Sequence, residues 1–132
     1  MAENATVGLV LISHSRQLAE GAADVAAQVS GGAVRIVGVG GTPDGALGTS
    51  IEALESAVEK VSSEMGVLII PDLGSSVLTA KAYLADAAGA SLRIADAPFV
   101  EGAVAAAVTA SGGAALGDVA AAAEGARDVR KL

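Results

Sequence analysis

Apolar and polar positions along this chain fall into blocks of two kinds. Four short runs rich in β-branched residues, Val7–Ile12, Ala33–Val39, Val67–Ile70 and Ser91–Ala95, are too short for free-standing helices and predict buried strands. Between and after them apolar residues recur at helical spacing. Gln17–Val29 aligns Leu18, Ala22, Val25, Ala26 and Val29; Thr49–Ser63 aligns Ile51, Leu54, Val58 and Val61; Ser76–Ala88 aligns Val77, Ala80, Lys81 and Leu84. Pro98–Ala110 and Leu116–Arg127 predict two more helices, the last with Val119, Ala120 and Ala123 in step. Alternation of strand and helix implies βαβ crossovers, and so an α/β fold: an open parallel sheet with helices on both faces. With right-handed crossovers, and strands two and three on opposite sides of strand one, the strand order is 2-1-3-4.

That order places the switch point between strands one and three, where an open α/β sheet binds ligands outside its carboxyl ends. Strand one runs into Ser13-His14-Ser15-Arg16, and strand three into Pro71-Asp72-Leu73-Gly74-Ser75-Ser76. Two polar clusters distant in sequence are thereby expected to meet. His14, the only histidine, falls in a strand-to-helix turn, beside unpaired helix N–H groups that favour an anion. A titratable nucleophile in that position points to phosphoryl chemistry on the imidazole itself. Asp72 follows a buried strand and is placed to bond one ring nitrogen, leaving the other as nucleophile. Its competing role is to cap the third helix, which Ser75 or Ser76 would do equally well. Ser15, Thr42, Gly74, Ser75 and Ser76 are the candidate phosphate contacts.

The loop Gly40-Gly41-Thr42-Pro43-Asp44-Gly45 fails both common nucleotide patterns. Pro43 stands where a G-x-G-x-x-G counted from Gly38 needs its last glycine, and no G-x-x-x-x-G-K-[ST] occurs. The loop therefore reads as a rim, with Thr49 as N-cap of the second helix. The lack of a G-x-S-x-G elbow weakens a serine hydrolase reading.

At 132 residues the chain is expected to be one domain, 1–132. Hydrophobic residues make up 52% but aromatics only 2%, so alanine and valine must fill the interior. A buried methyl is worth roughly 0.8 kcal/mol, and so thin a core favours burial between subunits. The net charge of -7 argues against nucleic acid as a partner. Without cysteine there is no thiol chemistry, and one histidine without a carboxylate cluster offers no metal set. The alanine-rich stretch 102–125 is broken by Gly, Ser, Asp and Glu, against a membrane span. Glu3 precedes a six-residue apolar run with no basic segment, against a signal peptide, so the cytoplasm is the expected compartment.

Val10-Leu11-Ile12-Ser13-His14-Ser15, Gly48-Thr49-Ser50, Asp72-Leu73-Gly74-Ser75 and Ala97-Pro98-Phe99-Val100-Glu101-Gly102-Ala103 together carry a resemblance. In that order, and across nearly the whole chain, they resemble the DhaM phosphocarrier subunits of the dihydroxyacetone kinase system. These are relatives of the mannose-class IIA domains of the bacterial phosphotransferase system. The resemblance implies that His14 is the phosphorylated histidine, that Asp72 orients it, and that the chain is a homodimer without a cofactor. It further implies phosphoryl supply from HPr and delivery to ADP on DhaL, with dihydroxyacetone phosphorylated on DhaK. The fused phosphocarrier domains that some members carry are expected here to be separate proteins. Two other readings stand beside it. One is a mannose-class IIA domain donating to a membrane-associated IIB protein; the other is a regulatory domain that binds a small anion in the same crevice and never becomes phosphorylated.

Overall fold

Every residue of strand β1 (Gly8–Ser13) is buried, and the other elements are arranged around it. The computed structural model describes residues 5–42, 44–87 and 91–132; the sequence readings on Glu3, Pro43 and Ala88 lie outside them. β1 pairs in parallel with β2 (Ile36–Gly40) on one side and β3 (Val67–Pro71) on the other, and β4 (Leu92–Ile94) adds to β3. The order β2-β1-β3-β4 is the one expected. Ser13 pairs with Gly40 and Ile12 with Pro71, so β1, β2 and β3 end at nearly one level. The segments after β1 and β3 therefore emerge side by side, and the Asp72 N–H donates to the Ile12 carbonyl at 3.0 Å.

Because strand side chains alternate, β1 serves two cores. Leu9 and Leu11 pack with helices α1 (Arg16–Val29), α4 (Phe99–Ser111) and α5 (Leu116–Gly125) on one face of the sheet. Val10 and Ile12 pack with α2 (Ile51–Val61) and α3 (Gly74–Asp86) on the other. A 3₁₀ turn, Ala126–Asp128, follows α5. Among the described residues no helix is long and apolar enough to cross a membrane.

Helix α1 departs from the expected face. Its buried residues are Ala19, Ala22, Ala23 and Ala26, whereas Leu18, Val25 and Val29 are 45%, 46% and 55% exposed. The cause is close approach: a Cβ added at Gly38 of β2 would lie 2.4 Å from the Ala19 carbonyl oxygen. At that separation the interior has no room for larger side chains. β2 starts at Ile36 rather than Ala33, because its ladder with β1 begins at Leu9 opposite Ile36. β4 is confined to Leu92–Ile94, the stretch that faces Val67–Ile69. The N-cap of α2 is Ser50, not Thr49: the Ser50 hydroxyl accepts from the Ala53 N–H at 3.2 Å. Thr49 instead hydrogen-bonds Thr79 of α3, their hydroxyls 2.7 Å apart.

Candidate functional site

The site forms where β1 and β3 release the chain. His14 occupies the bend between β1 and α1, its carbonyl accepting the Gly48 N–H at 3.0 Å. Gly48 adopts φ +143°, and a Cβ there would stand 2.7 Å from Cγ2 of Thr42, so glycine is required at this crossing. The His14 side chain is 31% exposed, that of Asp72 only 8%.

Asp72 is surrounded by donors. Its Oδ1 accepts the Leu73 N–H at 2.6 Å and the Ser76 hydroxyl at 2.7 Å, and faces His14 Nδ1 at 3.4 Å. Its Oδ2 accepts the Ser13 hydroxyl at 2.7 Å and, more distantly, the His14 N–H at 3.4 Å. Burial pushes the carboxyl up, but the hydroxyls of Ser76 and Ser13 and the two N–H groups outweigh it and hold Asp72 below its ordinary value. The side chain is therefore an anion at neutral pH. A carboxylate on the Nδ1 side of the His14 ring favours the tautomer protonated there, which presents the Nε2 lone pair outward. The Ser75 hydroxyl lies 2.5 Å from Nε2.

The structure thus brings His14, Asp72, Ser75 and Ser76 together, but it uses their polar atoms in different ways. Ser75 is exposed beside the free ring nitrogen, whereas Ser76 is fully buried and turns its hydroxyl to Asp72. Gly74 opens α3; the helix's first internal bond is Val77 N–H to Leu73, so the amides of Gly74, Ser75 and Ser76 stand ahead of it. The Ser15 hydroxyl caps α1 by accepting the Leu18 N–H at 3.2 Å. Thr42 bonds the Asp44 carboxylate within its own loop and lines, with Ser15, Arg16, Gly40 and Gly41, a cleft of about 350 Å³ on the β2 side of His14. Sequence reasoning passed over Ser13. Its signal was present: a serine closing a buried strand must find a partner.

The chain is thus an open parallel α/β sheet, covered on both faces, that holds a histidine against a buried carboxylate at its switch point. The family model for "PTS system fructose IIA component" matches residues 8–120, and the chain belongs to this family, among the DhaM phosphoryl donor subunits. It is 35% identical over 105 residues to the phosphoryl donor subunit DhaM of PEP-dependent dihydroxyacetone kinase 2 from Listeria innocua, covering 77% of this chain and 84% of that one. Against the Escherichia coli subunit of the same description it is 36% identical over 114 residues, 82% of this chain. The chain spans 24% of the length of that Escherichia coli relative. Among solved structures, the protein of unknown function EF1359 superposes with a TM-score of 0.80 at 31% identity, covering 90% of this chain and 93% of that one.

Proposed function

We propose that this chain is a phosphohistidine carrier, a cytoplasmic homodimer that receives a phosphoryl group from HPr on His14 and passes it to ADP bound on DhaL. The ATP so formed phosphorylates dihydroxyacetone on DhaK; the present chain supplies phosphate and does not itself act on the sugar. The observation that carries the proposal is the orientation of one ring: Nδ1 toward the Asp72 carboxylate at 3.4 Å, Nε2 toward solvent and the start of α3.

In the loading step the P–N bond on the donor histidine breaks as a P–Nε2 bond forms on His14. The proton on Nδ1 stays in place, the ring becomes cationic, and Asp72 offsets the new charge. The Ser75 hydroxyl rotates away from Nε2 as the phosphoryl group arrives and donates to one of its oxygens, next to the leading amides of α3. In the unloading step the P–Nε2 bond breaks as a terminal phosphate oxygen of ADP bonds to phosphorus, and the ring returns to neutral. Such transfer depends on positioning and charge, so few side chains are needed.

Incubation with phosphoenolpyruvate, enzyme I and HPr, followed by intact mass, tests the proposal. The expected product carries one acid-labile phosphate per chain, none in His14→Ala, and discharges on DhaL with ADP. Labelling that persists in His14→Ala overturns the site. Discharge onto a IIB protein instead identifies a sugar-transport donor, and saturable phosphate binding without a covalent adduct identifies an anion-binding regulator.

A further inference from the structure

We infer that Ser13 is a positioning residue for phosphotransfer at His14: its hydroxyl fixes Asp72 in the geometry that holds the ring by Nδ1. The inference rests on the phosphocarrier reading and adds to it a residue with no direct contact to the reacting nitrogen. Ser13 is fully buried at the last position of β1. Its Oγ accepts the Ser15 N–H at 2.9 Å, which leaves its own proton to be donated to Asp72 Oδ2 at 2.7 Å. One hydroxyl therefore joins the end of the strand, the carboxylate and the residue that caps α1. The direction of that proton has a consequence. A carboxylate accepts from Ser13 and Ser76 at once, whereas a protonated Asp72 would set a third hydroxyl among two donors. The pair of serines thus selects the anion, and the Oδ1 edge left facing His14 is the one the ring closes upon when it becomes cationic.

Around the carboxylate, the titratable groups are His14 from the β1–α1 turn, and Lys81 of α3 and Asp96 after β4, which line with Asp72 a cleft of about 420 Å³ on its far side. Of these only His14 is within ion-pair distance, so the serines rather than a neighbouring charge hold Asp72 in place. Ser13→Ala removes one hydrogen bond to a charged group and leaves the Ser15 N–H without its acceptor; such a bond is worth on the order of tenfold or more in rate.

The test compares wild type, Ser13→Ala and Ser13→Thr, which keeps the hydroxyl on a strand-compatible residue. Labelling by phosphorylated HPr is followed across pH by rapid quench, and the His14 tautomer is read by ¹⁵N NMR in the unphosphorylated proteins. In Ser13→Ala labelling slows about tenfold across the pH range and the Nδ1–H tautomer loses population; Ser13→Thr restores both. A folded Ser13→Ala with wild-type rate and tautomer overturns the inference. Should that variant not fold, Ser13→Cys, a weak donor of similar size, takes its place: a slowed rate with a depleted Nδ1–H tautomer supports the inference, and wild-type values of both overturn it. The tautomer is read without phosphate, so failure of HPr to label the wild type would reject the carrier reading and leave this measurement intact.

Discussion

Replacing Asp72 by asparagine keeps the shape of the side chain and removes its charge, placing an NH₂ group among donors. Oδ1 receives two short bonds, from Leu73 and Ser76, and Oδ2 only one, from Ser13, so the amide nitrogen settles at the Oδ2 position. One hydrogen bond to a charged group is lost there, worth about 2 kcal/mol, which lowers stability without abolishing the fold. The effect on transfer comes from the charge. Unit charges at the 3.4 Å separation of His14 Nδ1 and Asp72 Oδ1 attract by about 5 kcal/mol at the effective dielectric of a protein surface. With the ring 31% exposed, water screens much of this, leaving roughly 2–3 kcal/mol, on the order of a hundredfold in rate. Rapid-quench labelling by phosphorylated HPr measures the rate, and urea melts run in parallel establish folding. A cooperatively folded Asp72→Asn that loads His14 at the wild-type rate refutes the reasoning and reduces Asp72 to a residue that ties the start of α3 to β1.

Because Asp72 is held below its ordinary 3.8, its ionised form contributes stability that is complete above that value and lost as pH falls through the lower folded value. The gap in urea midpoint between wild type and Asp72→Asn is therefore constant at neutral pH and closes only below about pH 4; a gap that closes between pH 5 and 7 contradicts this. Gly8→Ala would place a Cβ 2.2 Å from the Val61 carbonyl oxygen, so denaturant melts should show a loss of about 1–3 kcal/mol. An unchanged midpoint would mean that the end of α2 can retreat from the sheet. The alanine-lined interior leads us to expect a homodimer at micromolar concentration, with a thermal midpoint that rises with protein concentration. Sedimentation equilibrium returning the 12.7 kDa monomer throughout would contradict it.

The strand order was legible because four β-branched runs alternate with helical patterns and crossover handedness leaves little choice. His14 and Asp72 were legible as a meeting pair because each follows a buried strand at the switch point. The inner face of α1 was not. Ala22 and Ala26 belong both to the stripe with Leu18, Val25 and Val29 and to the stripe with Ala19 and Ala23. Periodicity weights the larger residues, while the decision is made by a distance to Gly38 that appears only when the helix docks. Thr49 and Ser50 posed a similar ambiguity of adjacent hydroxyls. Ser50 took the cap because Thr49 found Thr79, a residue thirty positions away. Ser13 was overlooked because its partner is set by register: Ile12 opposite Pro71 brings Asp72 beside the last residue of β1.

Helix α3 buries only Ser76 and Ala80 fully, with Tyr83 and Leu84 packed partly buried against the core. Much of its seating comes from polar ties along one side, Ser75 to His14, Ser76 to Asp72 and Thr79 to Thr49. Two of these three ties end on His14 and Asp72, the pair proposed to handle the phosphoryl group. The helix is thus moored at its leading end to the reagent itself, and at its trailing end, through Ala80, Tyr83 and Leu84, to the core.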